Sequence, residues 1–328
     1  MRRTLRPSLR RPHDFGRFWA RTQAELESVD PSPSRTKELQ TKDSSLLLEN
    51  ISFDSLSGAR VHGYLLHAGM EQGRPLIVHS HGYNSQCDVQ WRWAQAGVDV
   101  VGIDVRGFGR SAQAVPEPSR HGYVLTGWRT PESSVLRGAV CDYIRAVEVG
   151  RRLLAAPPTR TVLHGTSFAG GLALMAEALL QTADLLALAS PTFGWTEGRH
   201  FFVKSGSGEE INRFLHARPE VAEDLMLVLR YFDPIHFAER VVCPSLVGVG
   251  LQDEVVPAKT VYAIANHLGG PHEIREFPVG HTNLPEEQLW EAFEAEWLSM
   301  ATKGVPSGFG VDQSIGDHVA DHGDQRRP

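Results

Sequence analysis

His164-Gly165-Thr166-Ser167-Phe168-Ala169-Gly170-Gly171 decides how the rest of the chain is read. It follows a short apolar run, Thr161-Val162-Leu163, and leads into Gly171-Leu172-Ala173-Leu174-Met175-Ala176-Glu177-Ala178, which is rich in helix formers. A strand, a sharp turn carrying a serine between small residues, and then a helix is the pattern of a nucleophile elbow. The neighbours must be small because the serine backbone is strained and the helix packs close behind it. Ala169 stands where the strict Gly-x-Ser-x-Gly form has its second glycine. Alanine is the next smallest side chain, so the pattern is weakened rather than lost.

The chain has 328 residues, 41% of them hydrophobic and 22% charged, enough to bury a large core. Its net charge is −6, and positive charge clusters only at Arg2, Arg3, Arg6, Arg10 and Arg11, so nucleic-acid binding has no electrostatic support. Pro7, Pro12, His13 and Asp14 interrupt any apolar segment that would turn this basic start into an export signal. No stretch approaches the roughly 18 apolar residues of a membrane span. Cys87, Cys141 and Cys243 are odd in number and far apart, which reads as reduced, buried thiols in a cytoplasmic protein. They lack metal-ligand spacing, and no metal or organic cofactor is expected.

Asp14 to Val29 has helical apolar spacing, with Asp14 as N-cap. Leu46–Phe53 and Arg60–His67 read as a hairpin around Ser57-Gly58. Further strands are expected at Pro75–His79, Val98–Val105, Asp184–Ala189, Val241–Gly250 and Glu273–Phe277, with helices at Glu132–Leu154, Ala258–Leu268 and Pro285–Met300. Strands alternating with helices predict an α/β fold: a mostly parallel sheet covered on both faces, with an N-terminal helix and an antiparallel edge hairpin. The expected organisation is a basic extension over 1–13, one domain over 14–301 with an insertion at about 192–232, and a disordered tail over 302–328.

A serine hydroxyl needs a base in hydrogen-bond reach, and the base needs an orienting acid. In this architecture the chain order is serine, acid, histidine, with the partners on loops past strand ends. Asp253, in the loop after Ser245–Gly250, is the acid; its neighbour Glu254 lies further from the strand. Among 15 histidines, His281 alone follows the next strand in a glycine loop, Pro278-Val279-Gly280-His281, and is the base. Oxyanion donors are expected from the backbone N–H of Phe168 and from Tyr83 in the loop His81-Gly82-Tyr83-Asn84. His79 and His81 serve either as structural hydrogen-bonders there or in a direct role. Phe193, Trp195, Phe201 and Phe202 in the insertion either line the pocket or pack a cap or interface.

With these residues placed, the chain resembles the acetyl xylan esterase / cephalosporin C deacetylase family, carbohydrate esterase family seven. The resemblance runs from about Asp14 to Trp297 and is carried by Asp14-Phe15-Gly16-Arg17-Phe18-Trp19, His81-Gly82-Tyr83-Asn84, Tyr231-Phe232-Asp233, Val249-Gly250-Leu251-Gln252-Asp253 and Gly280-His281. It implies an α/β-hydrolase fold, ester hydrolysis of small or sugar-type acyl esters, Ser167, Asp253 and His281 as triad, Tyr83 and Phe168 as oxyanion donors, and a homo-oligomer. Three motifs depart from the family pattern: Phe108 replaces Gln in Arg-Gly-Gln, Phe168-Ala169 replaces Gln-Gly in the elbow, and Thr282 replaces Glu after the histidine. Arg106, Phe108 and Ala169 are therefore expected to shape the site, with the phenylalanines making a more apolar pocket that tolerates acyl groups longer than acetyl. The alternatives are a peptidase or thioesterase using the same triad, or a non-catalytic binding protein that retains the fold.

Overall fold

Successive residues of a strand point to opposite faces, so an apolar run makes both faces of a sheet apolar, and both must be covered. The computed structural model describes residues 4–37, 45–69, 72–281 and 287–310. Their strands form one sheet: β1 (Ser34–Lys37), β2 (Leu47–Ser55), β3 (Ala59–His67), β4 (Leu76–Ser80), β5 (Asp99–Asp104), β6 (Thr161–Thr166), β7 (Leu185–Ala189), β8 (Ser245–Gly250) and β9 (His272–Phe277). The order is β1-β2-β3-β5-β4-β6-β7-β8-β9, antiparallel from β1 to β5 and parallel from β5 onward.

Val78, Val101, Leu163 and Val247 face one core, covered by α1 (Phe15–Glu27), α3 (Val135–Leu153), α4 (Phe168–Leu180), α8 (Ile235–Ala238) and α9 (Ala258–Ala265). Their neighbours Ile77, Val100, Val162 and Leu246 face the other, under α2 (Trp91–Gln95) and α10 (Glu287–Lys303). Each such side chain contributes about 1.5–3 kcal/mol by leaving water.

The sequence expectations for strands and helices hold, with displaced ends. α3 starts three residues later than expected because Ser134 caps it, its Oγ accepting from the Leu136 N–H. Asp14 does not cap α1 through its side chain; its carboxylate instead accepts the Tyr231 hydroxyl. β1 was not legible as a strand, because four polar residues carry no apolar alternation. It is held at the sheet edge by pairing with β2 and by Arg60, whose guanidinium donates to Ser32 O at 3.1 Å and Ser34 Oγ at 3.1 Å.

Both ends of the described chain are tied down further than expected. Leu5 and Leu9 pack against the core, and the Asn266 amide donates to Leu5 O. Beyond α10, Phe309 is buried and the Gly310 N–H donates to Glu273, so the packed chain extends past 302. The rest of the expected tail, 311–328, lies outside the described residues.

The expected insertion folds as three helices, α5 (Thr196–Phe202), α6 (Gly206–Ala217) and α7 (Ala222–Arg230). One carboxylate joins its entry to its exit. Asp233 accepts from Trp195 N–H at 2.9 Å, Thr196 N–H at 2.7 Å, Thr196 Oγ1 at 2.8 Å and Ile235 N–H at 3.1 Å. Aromatic contacts then fix the exit to α1, where Trp19 Nε1 donates to Tyr231 O at 3.0 Å and Phe18 meets Tyr231 edge-on. Asp233→Ala leaves these donors buried without an acceptor. It should lower stability by about 2–4 kcal/mol in chemical denaturation, whereas Leu227→Ala, at an exposed position of the same insertion, should change it by under about 0.5 kcal/mol.

Candidate active site

Ser167 adopts φ 56° and ψ −113°, a strained conformation for a residue with a Cβ. The turn is held from both sides. Ser167 N–H donates to Ala189 O of β7 at 2.9 Å, and Ser167 O accepts from Thr192 N–H at 3.1 Å and Gly171 N–H at 3.2 Å. A Cβ on Gly165 would lie 2.3 Å from the Ala169 carbonyl, and one on Gly170 would lie 2.9 Å from Gly165 O and 3.0 Å from Pro191 Cα. Close approach therefore requires glycine at 165 and 170. Position 169 contributes only its backbone to that contact, and its methyl is fully buried in the packed interior. This is why alanine is accepted there.

Past the ends of β8 and β9, His281 Nδ1 lies 2.6 Å from Asp253 Oδ2. The other carboxylate oxygen, Oδ1, accepts from Val255 N–H at 2.9 Å and Val256 N–H at 2.7 Å. The Asp253 side chain is fully buried and the imidazole nearly so. The carboxylate thus has one oxygen locked by backbone and one committed to the ring, which puts the proton on Nδ1 and leaves Nε2 as the acceptor. Among the described residues Ser167 Oγ makes no hydrogen bond to the imidazole; in unliganded hydrolases this bond is commonly long and tightens with substrate. Thr282 lies outside the described residues.

Tyr83 stands in the loop past β4, and Phe168 is the first residue of α4, where the N–H has no partner within its helix. Their rings meet edge-on at 5.7 Å, and Phe108 touches both, at 5.9 Å from Tyr83 and 5.8 Å from Phe168. Phe193 and Tyr123 complete the cluster around Phe168. The expected role of Phe168 as a pocket wall needs correction: its side chain is wholly buried, so it fills the core beneath the site. Of the two substituted phenylalanines, Phe108 alone borders open space. It lines an open cleft with Asn84, Tyr123, Glu210, Arg213 and Phe214. In the insertion, Phe193 is buried while Phe201 is 77% exposed, so these aromatics do not act as one surface.

His81 and His79 are structural. Val105 N–H donates to His81 Nε2 at 3.2 Å and His81 Nδ1 donates to Gly82 O at 2.8 Å, which fixes the neutral tautomer; burial also lowers its pKa. His79 points to the opposite sheet face, against Tyr64 and Trp93. Arg106 does not shape the site directly either. Its guanidinium is buried and grips Asp142 of α3, with Nε–Oδ2 at 2.9 Å and Nη2–Oδ1 at 2.6 Å. Gly138 makes room for it: a Cβ there would lie 2.2 Å from Nη1. The pair joins the loop after β5 to α3, and the Tyr123 hydroxyl adds a bond to Arg106 O.

The serine, the acid–histidine pair and the aromatic loop thus stand past the C-terminal ends of β6, β8, β9 and β4, the edge where open parallel sheets place their ligands. The profile of the acetyl xylan esterase family matches residues 2–299. The chain belongs to that family. It is a carboxylic ester hydrolase with the α/β-hydrolase fold. It is 20% identical over 312 residues to the acetyl esterase Axe7A of Xylanibacter ruminicola, an alignment covering 90% of this chain and 67% of that one. Among solved structures, the acetyl xylan esterase from Paenibacillus sp. R4 superimposes with a TM-score of 0.80 at 26% identity, over 90% of this chain and 98% of that one. Acetyl xylan esterase 1 from Thermoanaerobacterium sp. JW/SL YS485 gives 0.81 at 24% identity, over 90% and 97%.

The hydrogen bonds to Asp253 give a sharp expectation for Asp253→Asn. The two amides at Val255 and Val256 hold the asparagine oxygen, so its NH2 faces His281 and forces the proton onto Nε2. With the base in the wrong tautomer, kcat on p-nitrophenyl acetate should fall by about 10³–10⁴-fold, with the melting temperature little changed.

Proposed function

We propose that the protein is a serine esterase that deacetylates small esters, sugar acetates among them, through an acyl-enzyme on Ser167. The observation that carries this reading is a strained elbow serine at the same sheet edge as a histidine whose tautomer is set by a buried, backbone-anchored aspartate. His281 Nε2 takes the Ser167 proton as Oγ attacks the ester carbonyl. The backbone N–H groups of Phe168 and Tyr83 hold the oxyanion. His281 then protonates the departing alcohol, and a water, deprotonated by the same imidazole, releases the acid.

The acyl side is small on this reading. Phe168 is wholly buried against Phe193, so its ring fills the core behind the serine instead of lining a larger pocket. The alcohol side opens toward the cleft at Phe108, where Asn84, Glu210 and Arg213 suit a leaving group that carries hydroxyls. The family's acetyl xylan esterases point the same way. No helix among the described residues is long and apolar enough to cross a membrane. The cysteines are free and buried, which fits a reducing, cytoplasmic setting.

Ser167→Ala should reduce p-nitrophenyl acetate hydrolysis by at least about 10³-fold. Activity equal in mutant and wild type would exclude the serine mechanism. Across p-nitrophenyl esters the wild type should prefer acetate to octanoate by more than about tenfold in kcat/KM, because added methylenes meet a packed aromatic floor. A flat or rising profile would mean that the acyl pocket is larger than the burial of Phe168 allows.

A further inference from the structure

Nothing in the triad explains why the insertion is attached where it is. Its helix α6 reaches the loop past β4 at a polar point, the Tyr83 hydroxyl. That hydroxyl donates to Glu210 Oε2 at 2.5 Å and accepts from Val124 N–H at 3.1 Å. Three segments distant in sequence therefore meet on one oxygen: the loop after β4, the turn at Gly122–Leu125 and α6. The turn is built to permit this. Gly122 has φ +131°, and a Cβ there would sit 2.1 Å from Glu210 Oε2, so only glycine lets the carboxylate reach the phenol.

We propose that Glu210 is a positioning residue for ester hydrolysis: it fixes the Tyr83 side chain and, through it, the Tyr83 backbone N–H that receives the oxyanion. This rests on the serine-esterase reading above. The ring of Tyr83 is packed edge-on by Phe108, Tyr123 and Phe168. The bond to Glu210, with that from Val124 N–H, holds its hydroxyl end in place. Burial raises the Tyr83 pKa, as does the neighbouring carboxylate, so the phenol stays protonated and remains the donor. Burial raises the Glu210 pKa, and Glu209 adds to this, while the hydrogen bond from Tyr83 and the positive charge of Arg213 and Arg199 work the other way. Glu210 also lines the cleft at Phe108.

The test is a double-mutant cycle on p-nitrophenyl acetate. Glu210→Ala should lower kcat by about 10–100-fold with KM within about twofold, because a displaced oxyanion donor is felt in the transition state and not in substrate binding. Tyr83→Phe removes the hydroxyl, and with it the bond from Val124 N–H as well, and should give a loss at least as large. The double variant should be no worse than Tyr83→Phe, since that variant already breaks the contact with Glu210. Glu210→Gln keeps an acceptor oxygen and should recover activity to within about threefold of wild type. Unchanged kcat in Glu210→Ala or Tyr83→Phe, or multiplicative losses in the double variant, overturns the proposal. If wild type is no more active than Ser167→Ala, the serine-esterase reading itself fails. A Ser167-dependent wild type with an indifferent Glu210 overturns this inference alone.

Discussion

The backbone of Ser167 is the constraint on which the rest of the structure depends. A non-glycine residue at φ 56° and ψ −113° costs on the order of 1–3 kcal/mol, and it persists only where its surroundings over-determine it. Here the over-determination is visible atom by atom. The serine amide is fixed to β7, its carbonyl to Thr192 and Gly171, and the helix behind it approaches the strand so closely that Gly165 and Gly170 admit no side chain. The parallel order β4-β6-β7-β8-β9 then sets the other groups at the same edge, because each chemical residue follows the C-terminal end of its strand.

Around that fixed point the protein uses two kinds of support. On the acid side the support is a carboxylate that can do nothing else: Asp253 has one oxygen bound by two amides and the other bound to His281. Around the loop past β4 and the start of α4 it is a block of aromatic rings, His81, Tyr83, Phe108, Tyr123, Phe168 and Phe193, joined by ring contacts. Phe108 and Phe168, which stand where the family pattern has glutamine, both belong to this block. The insertion is closed at its root by Asp233 and tied to this block by Glu210.

Local signals were legible in the sequence and distant ones were not. The elbow is a contiguous pattern, and Asp253 and His281 are each placed by the strand that precedes them, so periodicity and loop chemistry sufficed. The same is true of the parallel core strands, whose apolar runs end at glycine-containing loops. Asp233, Glu210 and the Arg106–Asp142 pair depend on partners that lie far away in the chain, and composition carries no trace of who their partners are. The reading of Phe168 as a pocket wall failed for a related reason. A residue beside the nucleophile in sequence lies on the first turn of α4, and helix geometry turns its side chain into the core while its N–H stays at the site. Polar β1 escaped because an edge strand held by backbone pairing needs no apolar alternation.

The central claim is that Ser167 is the nucleophile presented by this strained turn. Titration with diethyl p-nitrophenyl phosphate, followed by intact-mass and tryptic-peptide analysis, addresses it directly. The account predicts a single diethylphosphoryl adduct per chain, located on Ser167, with esterase activity lost in proportion to its formation. An adduct on another residue, or full activity after Ser167 has been labelled, would contradict it.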